Sequence, residues 1–274
     1  MPYRPIYDRH AIHEVVFALI VKRGFEPQEL NAVIEAHDRW REELPKVTPT
    51  TAHRVVVGDA PLPADIKPYE EVGIVGVRFE ALKRDGSLDW RLSLENNWIA
   101  VNCLTYTRWN DIWATARLLL DQVSEIVINP KLPVIGAALQ YVDEFVWEGD
   151  IEEYTTTGLL REDSDLVPAS IRNKGPLWHL HQGWFHSEEL PLPGRRLQKV
   201  HIDAVERGKI YVTRIDTVLR HDFSNELPSY AAVFRANGKA TAIDPVFSEM
   251  HDESKRLLAS FITNEMAERI DLNA

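Results

Sequence analysis

The stretch DGSLDWRLSLENNWIAVNCLTYTRWNDIWATARLLLDQVSEIVI, residues 85–128, predicts a β-hairpin that leads directly into a long amphipathic helix. Apolar and polar residues alternate over residues 90–94, which indicates a half-buried strand. Asparagine tolerates left-handed backbone, so Asn96 and Asn97 predict the turn before a second strand at residues 98–104. The following apolar residues recur at helical spacing over about five turns. They are Trp109, Ile112, Trp113, Ala116, Leu119, Leu120, Val123 and Val127.

The remainder of the first half predicts more strands and one more helix. β-Branched and apolar residues at 12–21 predict a central strand, and Pro27 is placed to begin a helix. Shorter strands are predicted at residues 51–57 and 73–82. The segment between them, residues 58–68, holds three of the sixteen prolines and predicts a loop.

The second half predicts a similar order of elements. A long strand is predicted at residues 134–147, a weak helix at 150–161 and a polar loop at 162–175. Further strands are predicted at 177–188, 197–206 and 209–219, with a short fourth one at 230–235. Asp244-Pro245 predicts the N-cap and first residue of a last helix.

The repeated order predicts an α+β fold of antiparallel sheets covered by long helices. We interpret it as two pseudo-repeats of β-α-β4-α, residues 1–130 and 131–274, divided at Asn129–Pro133 and packed as one globular body. No residue-level identity between the halves supports an internal duplication beyond this order. The order is similar to that of the TATA-binding-protein saddle, a fold analogy from which no function follows.

Composition excludes several classes of protein. The chain of 274 residues carries a formal charge of −11, which argues against nucleic acid as a partner, because phosphate affinity comes from lysine and arginine. Its single cysteine, Cys103, excludes a disulfide within the chain. The N-terminus lacks the apolar region of a secretory signal, and the apolar run at residues 11–21 is too short to span a bilayer. We therefore expect an acidic cytoplasmic protein with no membrane segment.

Three short motifs resemble those of a sporadically distributed prokaryotic family of uncharacterised proteins of about this size. The family opens on a P-P-I-x-E-hydrophobic strand, as in Ile12–Phe17 here, although His10 and Ala11 replace the prolines. It has a tyrosine and an aromatic residue before a central helix, as in Tyr106 followed by Trp109 and Trp113. Its G-L-R-Y-x-N-like strand corresponds to residues 139–143, with Gln140 and Asp143 in place of Arg and Asn. The resemblance implies a cytoplasmic protein without an established activity, associated with phage-defence or mobile-element genes.

Histidines on two neighbouring strands form the best candidate for a chemical site. His179 and His181 are two residues apart and share one face of a strand, and so do His201 and Asp203. In suitable register, these four side chains could bind a divalent transition metal. The alternative is the solvated face of an antiparallel sheet, and we favour it because a metal site also needs partners that orient each imidazole. We therefore predict no cofactor and no metal.

Glu14 interrupts an apolar strand, so this carboxylate must be paired or protonated. We favour a structural ion pair with Arg78 or Arg91 over a role in a site. Six tryptophans could line an aromatic pocket, although core positions are the more common role of such residues. They are Trp90, Trp98, Trp109, Trp113, Trp178 and Trp184. Signatures of phosphate loops, serine hydrolases and zinc proteases are absent from the sequence, and no catalytic residue is predicted.

Two functions from different classes fit these features. The preferred one is a non-enzymatic binding protein whose sheets offer a broad surface to a protein partner or to a second copy of the chain. The acidic charge favours a basic partner, because complementary potentials steer association. The alternative is a small-molecule or metal-binding enzyme with a site between sheet and helix. The sequence identifies neither the partner nor the ligand, and whether the chain is an enzyme stays open with a lean towards no.

Overall fold

The structure, a computed structural model, describes residues 2–55, 69–172, 174–189, 192–235 and 241–272. Of residues 53–55 and 69–72 only the backbone is described. The loop predicted at residues 58–68 therefore lies outside the described residues.

Most of the predicted elements of the first half form. The strands are β1 (Tyr3–Pro5), β2 (Ile12–Val21), β3 (Lys46–Val55), β4 (Tyr69–Leu82), β5 (Leu88–Glu95) and β6 (Trp98–Cys103). The helices are α1 (Pro27–Glu35) and α2 (Trp109–Val127). Asn96 has the left-handed backbone that the turn between β5 and β6 requires, with φ of 53°.

The second half contains four strands and four helices among the described residues. The strands are β7 (Val134–Trp147), β8 (Trp178–Glu188), β9 (Gly194–Arg207) and β10 (Ile210–Leu227). The helices are α3 (Ala169–Arg172), α4 (Tyr230–Phe234), α5 (Ile243–Phe261) and α6 (Asn264–Arg269).

The described strands form one antiparallel sheet with the order β3-β4-β5-β6-β2-β7-β10-β9-β8, and β1 pairs with β7 beyond the start of β2. The predicted α+β class with mostly antiparallel pairing is confirmed. Strands β2 and β7, on either side of the predicted boundary, are neighbours at the centre of this sheet. The boundary between two units stays a prediction.

A row of apolar side chains crosses six strands on the face that the helices cover. Its members are direct neighbours across the ladder and have no exposed surface: Phe79, Leu92, Val101, Phe17, Leu139 and Leu219. Phe17 lies at the centre, where its ring is 5.5 Å from that of Trp113 on α2 and 5.9 Å from that of Phe247 on α5. The ring centres of Trp113 and Phe247 are 4.5 Å apart, so this cluster joins α2 and α5 to the sheet.

The opposite side of the sheet, which we call the open face, carries charged side chains in cross-strand pairs. Glu80 of β4 accepts hydrogen bonds from Lys46 at 2.7 Å and from Arg91 at 2.8 Å. Arg78 pairs with Glu95 at 2.5 Å. The open face is therefore polar on β4 and β5, as expected of the uncovered face of an antiparallel sheet. On the central strands the same face carries the buried apolar residues Ala18, Ala138 and Val142.

Three predicted elements of the second half are wrong. Residues 230–234 form helix α4 rather than a strand, because the Ser229 side chain caps the N-terminus and accepts from the Ala232 amide. The helix predicted at 150–161 is reduced to a 3-10 turn at Ile151–Glu153, and the predicted polar loop contains α3. The Thr155 hydroxyl makes local hydrogen bonds with the hydroxyl and the backbone amide of Thr157, and such bonds compete with a helix.

The last helix begins earlier than predicted. Helix α5 has Ala242 as its N-cap, so Asp244 lies inside the first turn, where its carboxylate accepts hydrogen bonds from Thr241 and Arg117. None of the described helices combines the length and the apolar character needed to cross a membrane.

Replacement of Leu120 by alanine tests the buried stripe of α2. Leu120 has no exposed surface, whereas its neighbour Leu118 is 45% exposed. We expect Leu120→Ala to lower the free energy of unfolding by about 2–5 kcal/mol, the range for large-to-small changes in a core. Urea denaturation measures the loss, and Leu118→Ala is the matched control with a change below about 0.5 kcal/mol. Equal losses in the two variants would contradict the packing of this helix.

Candidate functional site

A cavity of about 670 Å³ lies between the sheet and α5, closed by the start of α2 and by residues 8–12 and 269–272. We call it the β7–α5 cavity. Its volume is within the range of about 300–1,000 Å³ that is typical of small-molecule sites.

The alternation of β7 places Tyr141 and Asp143 at the cavity. Both lie on the helix side of the sheet, in line with Leu139 of the apolar row. Across the ladder, Asp143 is opposite Ile215, and Tyr141 is opposite Thr217, which also lines the cavity. A carboxyl group thus stands where the surrounding strands place core residues.

Asp143 is 2% exposed, and its Oδ1 atom has no hydrogen-bond partner within the described parts of the chain. Burial and, to a smaller extent, the nearby Asp216 carboxylate raise the pKa of this carboxyl from 3.8 to about 7. A buried polar atom without a partner is unfavourable and calls for an explanation. The group can take up or release a proton near neutral pH.

Neutral aromatic groups form the wall beside Asp143. The Tyr141 hydroxyl and His251 Nδ1 are 2.7 Å apart, and the imidazole stacks on Trp109 with ring centres separated by 4.1 Å. Burial lowers the pKa of His251 to about 4 and raises the pKa of Tyr141 well above its ordinary value. At neutral pH this wall therefore carries no charge of its own.

Two more polar groups in the cavity lack partners among the described residues. Ser254 of α5 is 4% exposed, and its Oγ atom is buried without a hydrogen bond. His10 packs against Tyr106 with ring centres 5.3 Å apart, and its Nδ1 is also buried without a partner. Burial lowers the pKa of His10 and raises the pKa of Tyr106. Unsatisfied polar atoms thus occur on the sheet wall, the helix wall and the segment before β2.

The mouth of the cavity is rich in cations. Arg9, Arg108, Lys255 and Arg269 line it together with two acids, Asp8 and Asp271. Arg108 and Asp271 are 3.7 Å apart and largely exposed, whereas Arg269 donates to the Tyr3 carbonyl at 2.9 Å. Four cations against two acids give the rim a positive balance.

The structure places the four predicted metal candidates on the open face, away from this cavity. His179 is paired with Asp203, and His181 with His201, so the register puts all four on one face. His201 Nε2 is 3.2 Å from Asp203 Oδ1, and the rings of His181 and His201 are 5.3 Å apart. No three of these four residues form a compact ligand group in the described structure. That they hold no metal stays a prediction.

A different group of possible ligands lies on the helix side. His186, Glu188 and Glu253 have ligand atoms within 4.8 Å of one another. Glu253 is already bound by the fully buried Arg196 and by Gln198. This cluster is therefore an ion-pair network, and the adjacent guanidinium disfavours a cation. The sequence analysis missed it because His186 meets Glu253 only through the packing of α5 on the sheet.

Other predicted residues have structural roles. Glu14 accepts a hydrogen bond from Asn102 at 2.7 Å rather than pairing with Arg78 or Arg91, so that predicted ion pair is wrong. Of the six tryptophans, Trp109 alone lines the cavity within the described residues. Burial raises the pKa of the Cys103 thiol to about 11, which makes it a poor nucleophile.

Four residues of the cavity lie in the sequence motifs of the family resemblance, but the sequence analysis did not predict that they meet in space. Tyr106, Trp109, Tyr141 and Asp143 belong to two motifs of the family resemblance and meet at one cavity. Alternation along β7 placed Asp143 on the same face as Tyr141, and an acid on that face of a central strand was the signal that could have identified it.

In comparisons with known proteins, no family model, no curated protein and no solved structure matches the chain. The resemblance stays a prediction.

Replacement of Asp143 by asparagine tests its burial. The folded state holds the Asp143 proton more tightly than the unfolded state, so the wild-type protein loses stability as pH rises from about 4 to about 7. Near pH 4 we expect Asp143→Asn and the wild type to have the same free energy of unfolding. Above pH 4 the variant should be the more stable protein, and the difference should grow by at most about 1.4 kcal/mol for each pH unit up to about pH 7. Urea denaturation across this range measures the difference.

The control for this experiment is Asp163→Asn. The Asp163 side chain is 73% exposed, and the Arg161 guanidinium lowers its pKa, so its removal should give no gain in stability at high pH. A constant difference between Asp143→Asn and the wild type at every pH would show that Asp143 keeps an ordinary pKa.

Proposed function

We propose that this protein binds a small molecule in the β7–α5 cavity and that Asp143 recognises it. The single observation that carries the proposal is a buried carboxyl without a partner at the wall of a cavity of ligand size. Of the two functions considered from sequence, this is the site between sheet and helix, without a metal.

The other buried acids of the sheet show how a structural carboxylate is accommodated in this fold. Glu144 is 1% exposed and accepts two hydrogen bonds from Arg207, at 2.7 and 2.9 Å. Glu80 is bound by both Lys46 and Arg91. Asp143 has no such partner among the residues that the structure describes, although the cost of burying it is the same in kind. A ligand that supplies the missing partner explains the difference.

A cavity-filling variant tests the proposal without knowledge of the ligand. Ser254 lies inside the cavity, so the phenyl group in Ser254→Phe must occupy ligand space; Arg256→Phe adds the same group on the exposed side of α5. We expect compounds from a metabolite library to raise the melting temperature of the wild type and of Arg256→Phe, but not of Ser254→Phe. A ligand at 100 times its dissociation constant adds about 2.7 kcal/mol of stability, which a thermal-shift assay detects.

Two outcomes would overturn binding in this cavity. One is a library in which no compound stabilises the wild type. The other is a set of compounds that stabilises all three proteins equally. If Ser254→Phe fails to fold, Asp143→Asn replaces it, because that variant is expected to be at least as stable as the wild type.

An interaction surface at β8 is the second candidate function, and it continues the preferred prediction from sequence. β8 is at one end of the sheet order, so one side of its backbone is unpaired within the described sheet. Phe185 of this strand is 57% exposed, and Leu177 immediately before it is 62% exposed. An edge strand with exposed apolar side chains is able to pair with another chain.

Sedimentation of the purified protein tests this second function. We expect a dimer whose dissociation constant increases at least tenfold in Phe185→Lys, because this change removes the exposed apolar ring from the edge strand. His179→Lys, on the same face of β8, is a control for charge alone. A wild type that is monomeric at all concentrations would exclude self-association through this edge.

Sheet order supports an internal repeat, which we propose as the origin of the fold. In the first half, β2 at the centre of the sheet is followed outward by β6, β5, β4 and β3. In the second half, β7 is followed outward by β10, β9 and β8, so both halves place their last strand next to the central one. The first half has four further strands and the second has three among the described residues. A cytoplasmic location, a prokaryotic origin and a link to phage defence belong to the same set of proposals, and the buried free Cys103 is compatible with a reducing compartment.

A further inference from the structure

We infer that the ligand of the β7–α5 cavity is an organic amine that also carries an anionic group. Its ammonium group would lie between Asp143 and Ser254, and its anion would lie at the cationic rim. This inference rests on the proposed function, since it names the chemical class of the molecule that the cavity binds.

Two buried oxygen atoms of the cavity wall have no hydrogen-bond partner among the described residues. Asp143 Oδ1 on the sheet and Ser254 Oγ on α5 are buried atoms without partners, and both residues line the same cavity. An ammonium group has three donors and can serve a carboxylate and a hydroxyl at once. A neutral apolar ligand would leave both atoms unsatisfied, which is unfavourable for buried polar groups.

Aromatic rings beside these atoms favour a cation as well. Tyr106 and Tyr141 line the cavity close enough to Asp143 for its charge to raise the pKa of both hydroxyls. Aromatic faces attract ammonium groups, and desolvation strengthens the attraction. An anion at this end would instead meet the Asp143 carboxylate within a space of low dielectric.

The other groups that face Asp143 supply no competing positive charge at close range. Tyr106 and His10 approach from the N-terminal side, Tyr141 from its own strand, and His251 from α5, and the pKa shifts of the two histidines keep them neutral. Asp216, on the neighbouring strand, adds negative charge. Lys255, Arg269 and Asp271 belong to the rim.

The rim determines the other end of the ligand. Arg9, Arg108, Lys255 and Arg269 outnumber Asp8 and Asp271, in a chain whose formal charge is −11. Arginine side chains bind carboxylates and phosphates through paired donors. A local excess of cations on an acidic protein therefore favours a carboxylate or phosphate at the mouth.

Matched compounds separate the two requirements. Each triad of the library has one carbon skeleton with an amine and an anion, with the amine only, or with the anion only; L-phenylalanine, phenethylamine and 3-phenylpropionate are one example. Affinity selection with mass spectrometry identifies retained compounds, and calorimetry measures their dissociation constants. We expect the amine-and-anion members to be retained, with each single-group member at least tenfold weaker.

Two variants assign each end of a retained compound. Asp143→Asn should weaken the amine-and-anion member at least tenfold and the anion-only member little. The double variant Arg9→Gln, Arg108→Gln should weaken binding of the amine-and-anion and anion-only members and have little effect on the amine-only member. Asp163→Asn, an acid outside the cavity, is the control and should leave all dissociation constants unchanged.

The pH dependence gives a second readout. An ammonium ligand requires the ionised carboxylate, so wild-type affinity should rise between about pH 5.5 and about pH 8, by up to tenfold per unit below the pKa of Asp143. Affinity in Asp143→Asn should be independent of pH over this range.

The outcomes distinguish this inference from the proposed function. Retention of anion-only members alone, blocked by Ser254→Phe, would overturn the ligand class and leave binding in the cavity intact. Affinity that falls with pH would also overturn the class, because it would require the protonated acid. If no member of any triad is retained, both the class and the proposed function are overturned.

Discussion

The fold depends on the contact between one row of apolar side chains and two long helices. Phe17 lies at the centre of that row and meets Trp113 from α2 and Phe247 from α5. Strand β2 and α2 come from one half of the chain and α5 from the other, so this aromatic cluster holds the halves on a common core. Burial of such rings contributes more than any of the surface ion pairs, which are worth about 0–1 kcal/mol each.

Asp143 is exceptional because it lies on the face where this apolar contact is made. Four residues earlier on β7, Leu139 is part of the row and has no exposed surface. Over Asp143 the helix cover leaves a cavity, which is lined by the start of α2, by residues of α5 and by residues 8–12 and 269–272. The cost of burying this acid therefore falls beside a cavity in which a ligand has room to offset it.

Charged residues elsewhere show the opposite arrangement. On the open face, acids and bases alternate across strands and satisfy each other, as with Glu80, Lys46 and Arg91. His201 likewise lies between Asp203 at 3.2 Å and Asp216 at 3.9 Å. On the helix side, Arg196 and Glu253 neutralise each other in a buried pair. Polar groups with partners maintain the fold, whereas three of the eight buried side-chain atoms that lack a partner among the described residues belong to the lining of the β7–α5 cavity, on His10, Asp143 and Ser254.

The sequence by itself determined the elements whose patterns are local. Periodicity and turn residues predicted β2, β7, the β5–β6 hairpin and the buried stripe of α2, since each depends on residues a few positions apart. It failed at α4, where a serine cap outweighed strand propensity, and at the Glu14 ion pair, where Asn102 is the partner. Alternation could also place Asp143 and Tyr141 on one face of β7. Only the tertiary structure decided that Tyr106, Trp109, His251 and Ser254 meet them, because these residues are up to 148 positions apart and come together through helix packing that no local pattern encodes.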